Sequence, residues 1–264
     1  MKDSGETNLE SQISDLRFRI PDLWLGLRAI IVKDIVVELR ARQVLPTMVV
    51  LGMLIVFILR MASDSALTDT AAPVLGAAAL WVAFLFSGLL AQERSFASEQ
   101  QNGCIDGLLL APLDPGTIYL AKLLANVIML TIFEAIVVPI VIIAFDLHVA
   151  GGWFRLAAVL LLGNLGISSV GTLFSAAVQL TRTRGSLLSI VVLVILMPMM
   201  IPATFALLVL FGAMPGEAQG LASVQGTGAL AFVGSFPAAV GYLLAFDAIF
   251  VVASWLLFGL IIDD

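Results

Sequence analysis

The chain is poor in the residues that carry most enzymatic and metal chemistry. Its 264 residues include one cysteine, Cys104, and one histidine, His148. A single cysteine excludes an internal disulfide framework and a multi-cysteine metal site, and a single histidine excludes a histidine cluster. A serine nucleophile would have only His148 as its base, and we interpret that residue as part of a surface loop. We therefore predict no catalytic residue and no metal site.

The sequence also lacks a nucleotide-binding loop. A P-loop needs a lysine that follows a glycine, so that backbone amides can wrap a triphosphate. Lys2, Lys33 and Lys122 instead follow a methionine, a valine and an alanine. We predict that the chain does not hydrolyse ATP and is not an enzyme.

Charge is scarce, and apolar residues occur in long runs. Charged residues make up 12% of the chain and hydrophobic residues 61%, whereas a soluble domain is nearer a quarter charged and half apolar. A bilayer core takes about 20 apolar residues per helix, so a chain of this length can supply roughly six or seven spans. Residues 1–21 are polar and lack the apolar core of a signal peptide, which predicts a cytoplasmic tail.

We predict an all-α integral membrane protein with six transmembrane helices over residues 44–262. The predicted spans are 44–62, 72–91, 117–145, 154–180, 186–213 and 233–262. Pro198 and Pro202 imply a kink or a break in the fifth span.

Residues 22–43 are predicted to form an amphipathic helix at the membrane surface. Its apolar stripe consists of Trp24, Leu27, Ile31, Ile35 and Leu39. Lys33 and Arg40 lie on the opposite side, and Glu38 and Arg42 interrupt the pattern.

The basic residues predict the orientation. With both termini cytoplasmic, the inner side holds eleven of the thirteen lysines and arginines, and the outer side holds only Arg60 and Arg155. This bias favours an even number of spans in the cell inner membrane, with both termini inside.

The segment between the second and third spans, residues 93–114, is the most informative part of the chain. Ile105, Leu108 and Leu109 follow helical spacing within a polar segment, and Pro112 ends the turn. Asp114 is predicted to cap the next helix. These features fit two interpretations equally. The segment is either an interfacial loop that covers helix ends or a docking helix for a soluble partner.

Polar residues inside the spans are functional candidates, because burial in lipid is costly. Glu134 and Asp247 lie in the third and sixth spans and have three open interpretations: contacts that hold helices together, coupling or subunit contacts, and substrate contacts. The fourth span has a polar face that is either a helix or subunit interface or the lining of a transport path. That face consists of Asn164, Ser168, Thr172, Ser175 and Gln179.

The segment 93–122 resembles the cytoplasmic loop of the haem exporter B subunit of cytochrome c maturation, the CcmB family. The matching residues are Glu93-Arg94, Gly103, Asp106, Leu108-Leu109-Leu110, Pro112-Leu113 and Ala121-Lys122. Gly107 departs from the family pattern, which often has a bulky or acidic residue there.

The resemblance implies a permease subunit of an ABC-type complex, in which a cytoplasmic ATPase subunit docks on a coupling hairpin between the second and third spans. The implied coupling residues are Glu93, Arg94, Ile105, Asp106, Leu108, Leu109 and Pro112. It further implies a CcmA-like ATP-binding subunit, CcmC-like and CcmD-like membrane subunits and a CcmE-like haem chaperone. We expect no directly bound cofactor, since haem is handled by the complex and ATP by the partner, and we expect contact with lipid but not with nucleic acid.

Three functions stay open from the sequence. The first is a subunit that couples ATP hydrolysis to haem export or to release of haem-loaded chaperone. The second is a generic ABC-type permease for a lipid, drug or polysaccharide. The third is an ion-coupled carrier that uses Glu134 and Asp247.

Overall fold

The computed structural model describes residues 24–40, 43–63, 71–101, 114–181, 185–212 and 235–263, and these residues form seven helices without a strand. Helix α1 covers residues 24–40. The others are α2 Val44–Ala62, α3 Ala71–Gln101, α4 Pro115–Ala144, α5 Trp153–Thr181, α6 Gly185–Leu210 and α7 Phe236–Asp263.

The chain is a multi-pass membrane protein with six candidate spans. Within the described residues, helices α2 to α7 each contain a stretch that is long and apolar enough to cross a bilayer. The predicted six-helix fold is therefore confirmed. Helix α6 runs without a break through Pro198 and Pro202, because neighbouring helices in a bundle can compensate for the lost backbone hydrogen bonds.

Helix α3 is longer than the predicted span. Its 31 residues correspond to about 46 Å, whereas a bilayer core is about 30 Å thick. The apolar stretch ends at Glu93, and the helix continues to Gln101. The sequence assigned residues 93–101 to a polar loop because their composition is polar, but helical hydrogen bonding does not require apolar side chains.

Helix α4 begins as the sequence predicts. The Asp114 side chain accepts a hydrogen bond from the backbone N–H of Gly116 at 3.1 Å, and Pro115 occupies the first helical position. Both features satisfy or remove backbone donors that a helix start leaves unpaired. The sharp start fixes where the chain enters the bundle after the segment 102–113.

Helix α5 is the centre of the bundle. It contacts α3, α4, α6 and α7, and 72% of its apolar stretch is buried, against 22% for α2 and for α7. Glycines on α5 allow this packing. A Cβ atom at Gly163 would lie 2.2 Å from the Trp81 ring, and one at Gly171 would overlap the Gln92 side chain of α3.

One end of the bundle is closed by short contacts between helix ends. The Arg60 Nε–H of α2 donates to the carbonyl of Ala144, the last residue of α4, at 2.8 Å. Arg155 at the start of α5 lies over the Phe236 ring at the start of α7, with its guanidinium carbon 5.9 Å from the ring centre. The first contact satisfies a carbonyl that the helix end leaves free.

Helix α1 packs against the opposite end of the bundle. Ile30 is buried in an apolar cluster with Ile118 and Tyr119 of α4 and Phe258 of α7. Next to this cluster, the Lys122 Nζ of α4 lies 2.8 Å from Asp34 Oδ2 of α1, and the Lys122 side chain is 2% exposed. The pair joins α1 to α4 by a buried ion pair.

The apolar stripe predicted for α1 lies partly against the bundle. Leu27, Ile31 and Ile35 are partly buried on the side of α1 that packs on the bundle, whereas Trp24 and Leu39 are exposed. The exposed side of the same helix is also apolar. The spacing of apolar residues alone therefore did not determine which face of α1 packs on the bundle.

Glu38, which interrupts the apolar stripe, has a structural role. Its Oε1 accepts a hydrogen bond of 2.8 Å from the backbone N–H of Val44, the first residue of α2. The Gln43 side chain makes no cap bond there. A carboxylate at a helix start is favourable, because it meets the positive end of the helix dipole.

We expect Lys122→Met to lower the free energy of unfolding by about 3 kcal/mol, since it leaves a partly buried carboxylate without its partner. Lys33→Met is the matched control. Lys33 Nζ lies 3.2 Å from the other oxygen of Asp34, but its side chain is 44% exposed, so the expected loss is below about 1 kcal/mol. Thermal unfolding in mild detergent measures both, and equal losses would contradict the importance of the Lys122 pair.

Candidate functional site

The predicted coupling residues begin in the last part of α3 and continue in the sequence after it. Glu93 is exposed on α3. Arg94 belongs to the helical part of α3, but its side chain is outside the described residues. The remaining five predicted coupling residues also fall outside the described part of the chain: Ile105, Asp106, Leu108, Leu109 and Pro112. Their proposed role stays a prediction.

The polar face of α5 lies inside the bundle, mostly against α4. Asn164 is fully buried, and its Nδ2 donates to the Val127 carbonyl at 3.0 Å and to Thr131 Oγ1 at 2.9 Å, both on α4. Ser168 Oγ donates to Asn164 Oδ1 at 3.1 Å and so holds the amide in place.

The same face continues towards the C-terminal end of α5. Thr172 Oγ1 accepts from Asn126 Nδ2 of α4 at 2.9 Å, and Ser175 is buried. Gln179 lies in α5, but its side chain is outside the described residues. The contacts of Asn164 and Thr172 tie α4 to α5 at two heights, as polar side chains do between helices in lipid.

Glu134 is buried on α4 beside this network. It is 4% exposed, and its carboxyl neighbours the Asn164 side chain. Its Oε1 has no hydrogen-bond partner among the described residues. The carboxyl thus adjoins a polar network that does not fully satisfy it.

Asp247 is buried on α7 and faces α5 from another direction. It is 3% exposed, and neither of its carboxyl oxygens has a hydrogen-bond partner among the described residues. A Cβ atom at Gly166 would lie 2.8 Å from Asp247 Oδ1 and 2.4 Å from the Met199 sulfur. Gly166 therefore leaves the space that the Asp247 side chain occupies.

Glu134, Asn164 and Asp247 lie at the same depth. Glu134 precedes the last residue of α4, Ala144, by ten positions (144 − 134). Asn164 follows the first residue of α5 by eleven positions (164 − 153), and Asp247 follows the first residue of α7 by eleven (247 − 236). Each is about 16 Å from the same end of the bundle, which is close to half the thickness of a bilayer core.

This arrangement can exchange hydrogen bonds or protons, but it does not resemble a metal site. Within the described part of the chain, no group of three or more histidine, cysteine, aspartate or glutamate residues could hold a metal ion. A small cavity of about 10 Å³ lies nearer the end of the bundle where α1 packs, lined in part by Met48, Gln92 and Asn126. Its volume is at the lower limit of the space that one water molecule needs.

Sequence reasoning identified Glu134 and Asp247 but missed Gln92. That residue is 2% exposed, and its Oε1 has no hydrogen-bond partner within the described part of the chain. Its Nε2 donates to the Ile167 carbonyl of α5 at 3.5 Å. An amide at the end of an apolar run was a usable signal for an interhelical contact. The facing Gly171 could not be paired with it from sequence.

We expect Gly163→Ala to destabilise the bundle by about 2 kcal/mol, because the added methyl group meets the rigid Trp81 ring in a packed interior. Gly241→Ala on α7 is the matched control, since a Cβ atom there meets nothing within 4 Å. It should leave stability unchanged or raise it through helix propensity. Melting temperatures in detergent compare the two, and a tolerated Gly163→Ala would contradict the described α3–α5 packing.

We expect Asp247→Asn to leave the free energy of unfolding unchanged or to raise it, because the carboxyl makes no hydrogen bond with any described residue that the substitution could break. Thermal unfolding of the purified variant measures this. A loss of more than about 1 kcal/mol would mean that Asp247 holds helices together. Unchanged stability together with lost transport would instead identify a functional carboxyl.

Comparison with known proteins gives one family and two relatives. The family model described as CcmB protein matches residues 26–222. The chain is 32% identical over 155 residues to "Heme exporter protein B" of Haemophilus influenzae, an alignment that covers 59% of this chain and 65% of that protein. It is 36% identical over 124 residues to "Heme exporter protein B" of Paracoccus denitrificans, covering 46% and 56%. The alignments thus span less than two thirds of either relative.

Proposed function

Because the chain belongs to the CcmB protein family, we propose that it is the membrane subunit of a haem export system for cytochrome c maturation. The observation that carries this proposal is the family match over residues 26–222, which includes the segment 93–122 and five of the six spans. Both relatives named above carry the name of a haem exporter. Haem, or a chaperone that carries haem, would be the cargo.

We propose that the energy comes from a separate cytoplasmic ATPase subunit. None of the lysines of the chain lies in a P-loop, so a partner must bind and hydrolyse the nucleotide. The predicted docking element is the apolar turn of Ile105, Leu108 and Leu109. Glu93, at the inner end of the apolar stretch of α3, and Asp114, the cap of α4, border the segment that contains this turn.

The helices on either side of that segment suggest how a movement would reach the spans. Helix α3 continues for eight residues past Glu93, to Gln101, and contacts α2, α4, α5 and α6. Helix α4 starts at a capped, proline-fixed residue and pairs with α1 through Lys122. A displacement of the docking element would therefore move α3 and α4 against α5. The complex would sit in the cell inner membrane with both termini of this chain inside.

An ion-coupled carrier is the second candidate. It is favoured by the mid-depth carboxyl groups of Glu134 and Asp247, because Glu134 Oε1 and both oxygens of Asp247 have no hydrogen-bond partner among the described residues. The two functions differ in their energy source. Haem-dependent cytochrome c maturation that persists with a catalytically inactive ATPase subunit would support the carrier. Loss of maturation with that subunit would support the ATP-driven complex.

We expect the double variant Leu108→Ser and Leu109→Ser to lose the copurifying ATPase subunit in mild detergent, because it removes most of the apolar contact area of the docking turn. Trp153→Ser and Phe154→Ser form the matched control. They are also adjacent apolar residues, 66% and 88% exposed, but at the opposite end of the bundle. The control should retain the ATPase subunit, and retention by both variants would remove the docking turn from the proposal.

A further inference from the structure

The exposed side of α1 carries a pattern that its packing on the bundle leaves unexplained. Opposite the buried Ile30, four apolar residues follow spacings of seven, four and three and form one stripe: Leu25, Val32, Val36 and Leu39. They are 65%, 49%, 46% and 47% exposed. A stripe of this length exposed to water would be unfavourable, so it requires an apolar environment.

The charges on α1 divide between its two sides. Its two acidic residues both turn towards the bundle, where Asp34 pairs with Lys122 and Glu38 binds the first backbone amide of α2. Arg28 and Arg40 are exposed and lie on either edge of the apolar stripe. The third basic residue, Lys33, is also exposed and contacts Asp34. The outward face of α1 thus carries positive charge only.

We propose that this outward face is a binding surface for anionic phospholipid, with the stripe in the acyl boundary and Arg28 and Arg40 on the headgroups. The position of α1 supports a lipid rather than a water-facing role. Ile30 packs where α4 begins and α7 ends, which is the level of the headgroups on that side of the membrane. A helix with an apolar stripe and flanking basic residues binds such an interface by area and by charge.

The ion pair gives this surface a further consequence. Since Asp34 joins α1 to Lys122 inside the bundle, α1 cannot leave the bundle without breaking the pair. Anionic lipid would therefore be held at a fixed position beside α4, rather than on a mobile peripheral helix.

The test uses the full chain in nanodiscs of phosphatidylcholine alone or mixed with phosphatidylglycerol. Native mass spectrometry of the released protein measures retained phosphatidylglycerol. The double variant Arg28→Gln and Arg40→Gln should bind phosphatidylglycerol roughly ten-fold or more weakly, since each basic residue near a surface favours anionic lipid about five-fold. Arg155→Gln is the control, because Arg155 is exposed at the opposite end. Equal retention by the wild-type chain and the double variant would overturn the proposal.

A second measurement separates lipid from a protein occupant. A spin label at Val32→Cys, in a Cys104→Ser background, should show acyl-chain contact in nanodiscs that contain the chain alone. Water contact that disappears only when the ATPase subunit is added would assign the face to that partner and overturn the lipid proposal. Neither result depends on whether haem is the cargo.

Discussion

The ion pair between Asp34 and Lys122 is the constraint on which the α1 end of the structure depends. Lys122 lies eight residues after Asp114, about 12 Å into α4, and its charge is stabilised at that depth by a carboxylate brought from outside the bundle. The pair therefore fixes two elements at once. It holds α1 against α4, and α1 in turn places Glu38 where α2 begins.

The rest of the bundle depends on close approach around α5. Three glycines of α5 leave space for side chains of two neighbouring helices. Gly163 and Gly171 face Trp81 and Gln92 of α3, and Gly166 faces Asp247 of α7. In lipid, packing and hydrogen bonds replace the hydrophobic effect as the force between helices. The three glycines of α5 therefore let these side chains approach the helix closely. Asn164 satisfies its own donors on α4, whereas the oxygens of Asp247 stay unpartnered within the described structure.

Much of the fold could be predicted from runs of apolar residues and from single capping residues. The apolar runs predicted six spans, and Asp114 before a proline predicted the start of α4. The face of α1 that packs on the bundle could not be predicted, because both faces are apolar. It is the long-range pairing of Asp34 with Lys122 that distinguishes them. The length of α3 was missed because polar composition does not end a helix. Glu134 and Asp247 were found by charge alone, but their common depth and their contacts with α5 depend on packing that one sequence does not record.

Helix α3 continues beyond its apolar stretch as a stiff extension of the bundle. An α-helix resists bending over a few turns, so a sideways push at Gln101 tilts the whole rod about the points where its neighbours hold it. The part from Glu93 to Gln101 is about 12 Å long, and the part from Ala71 to Glu93 is about 33 Å long. A displacement at the tip would therefore reach the contacts of α3 with its neighbours without any change in the conformation of the helix itself.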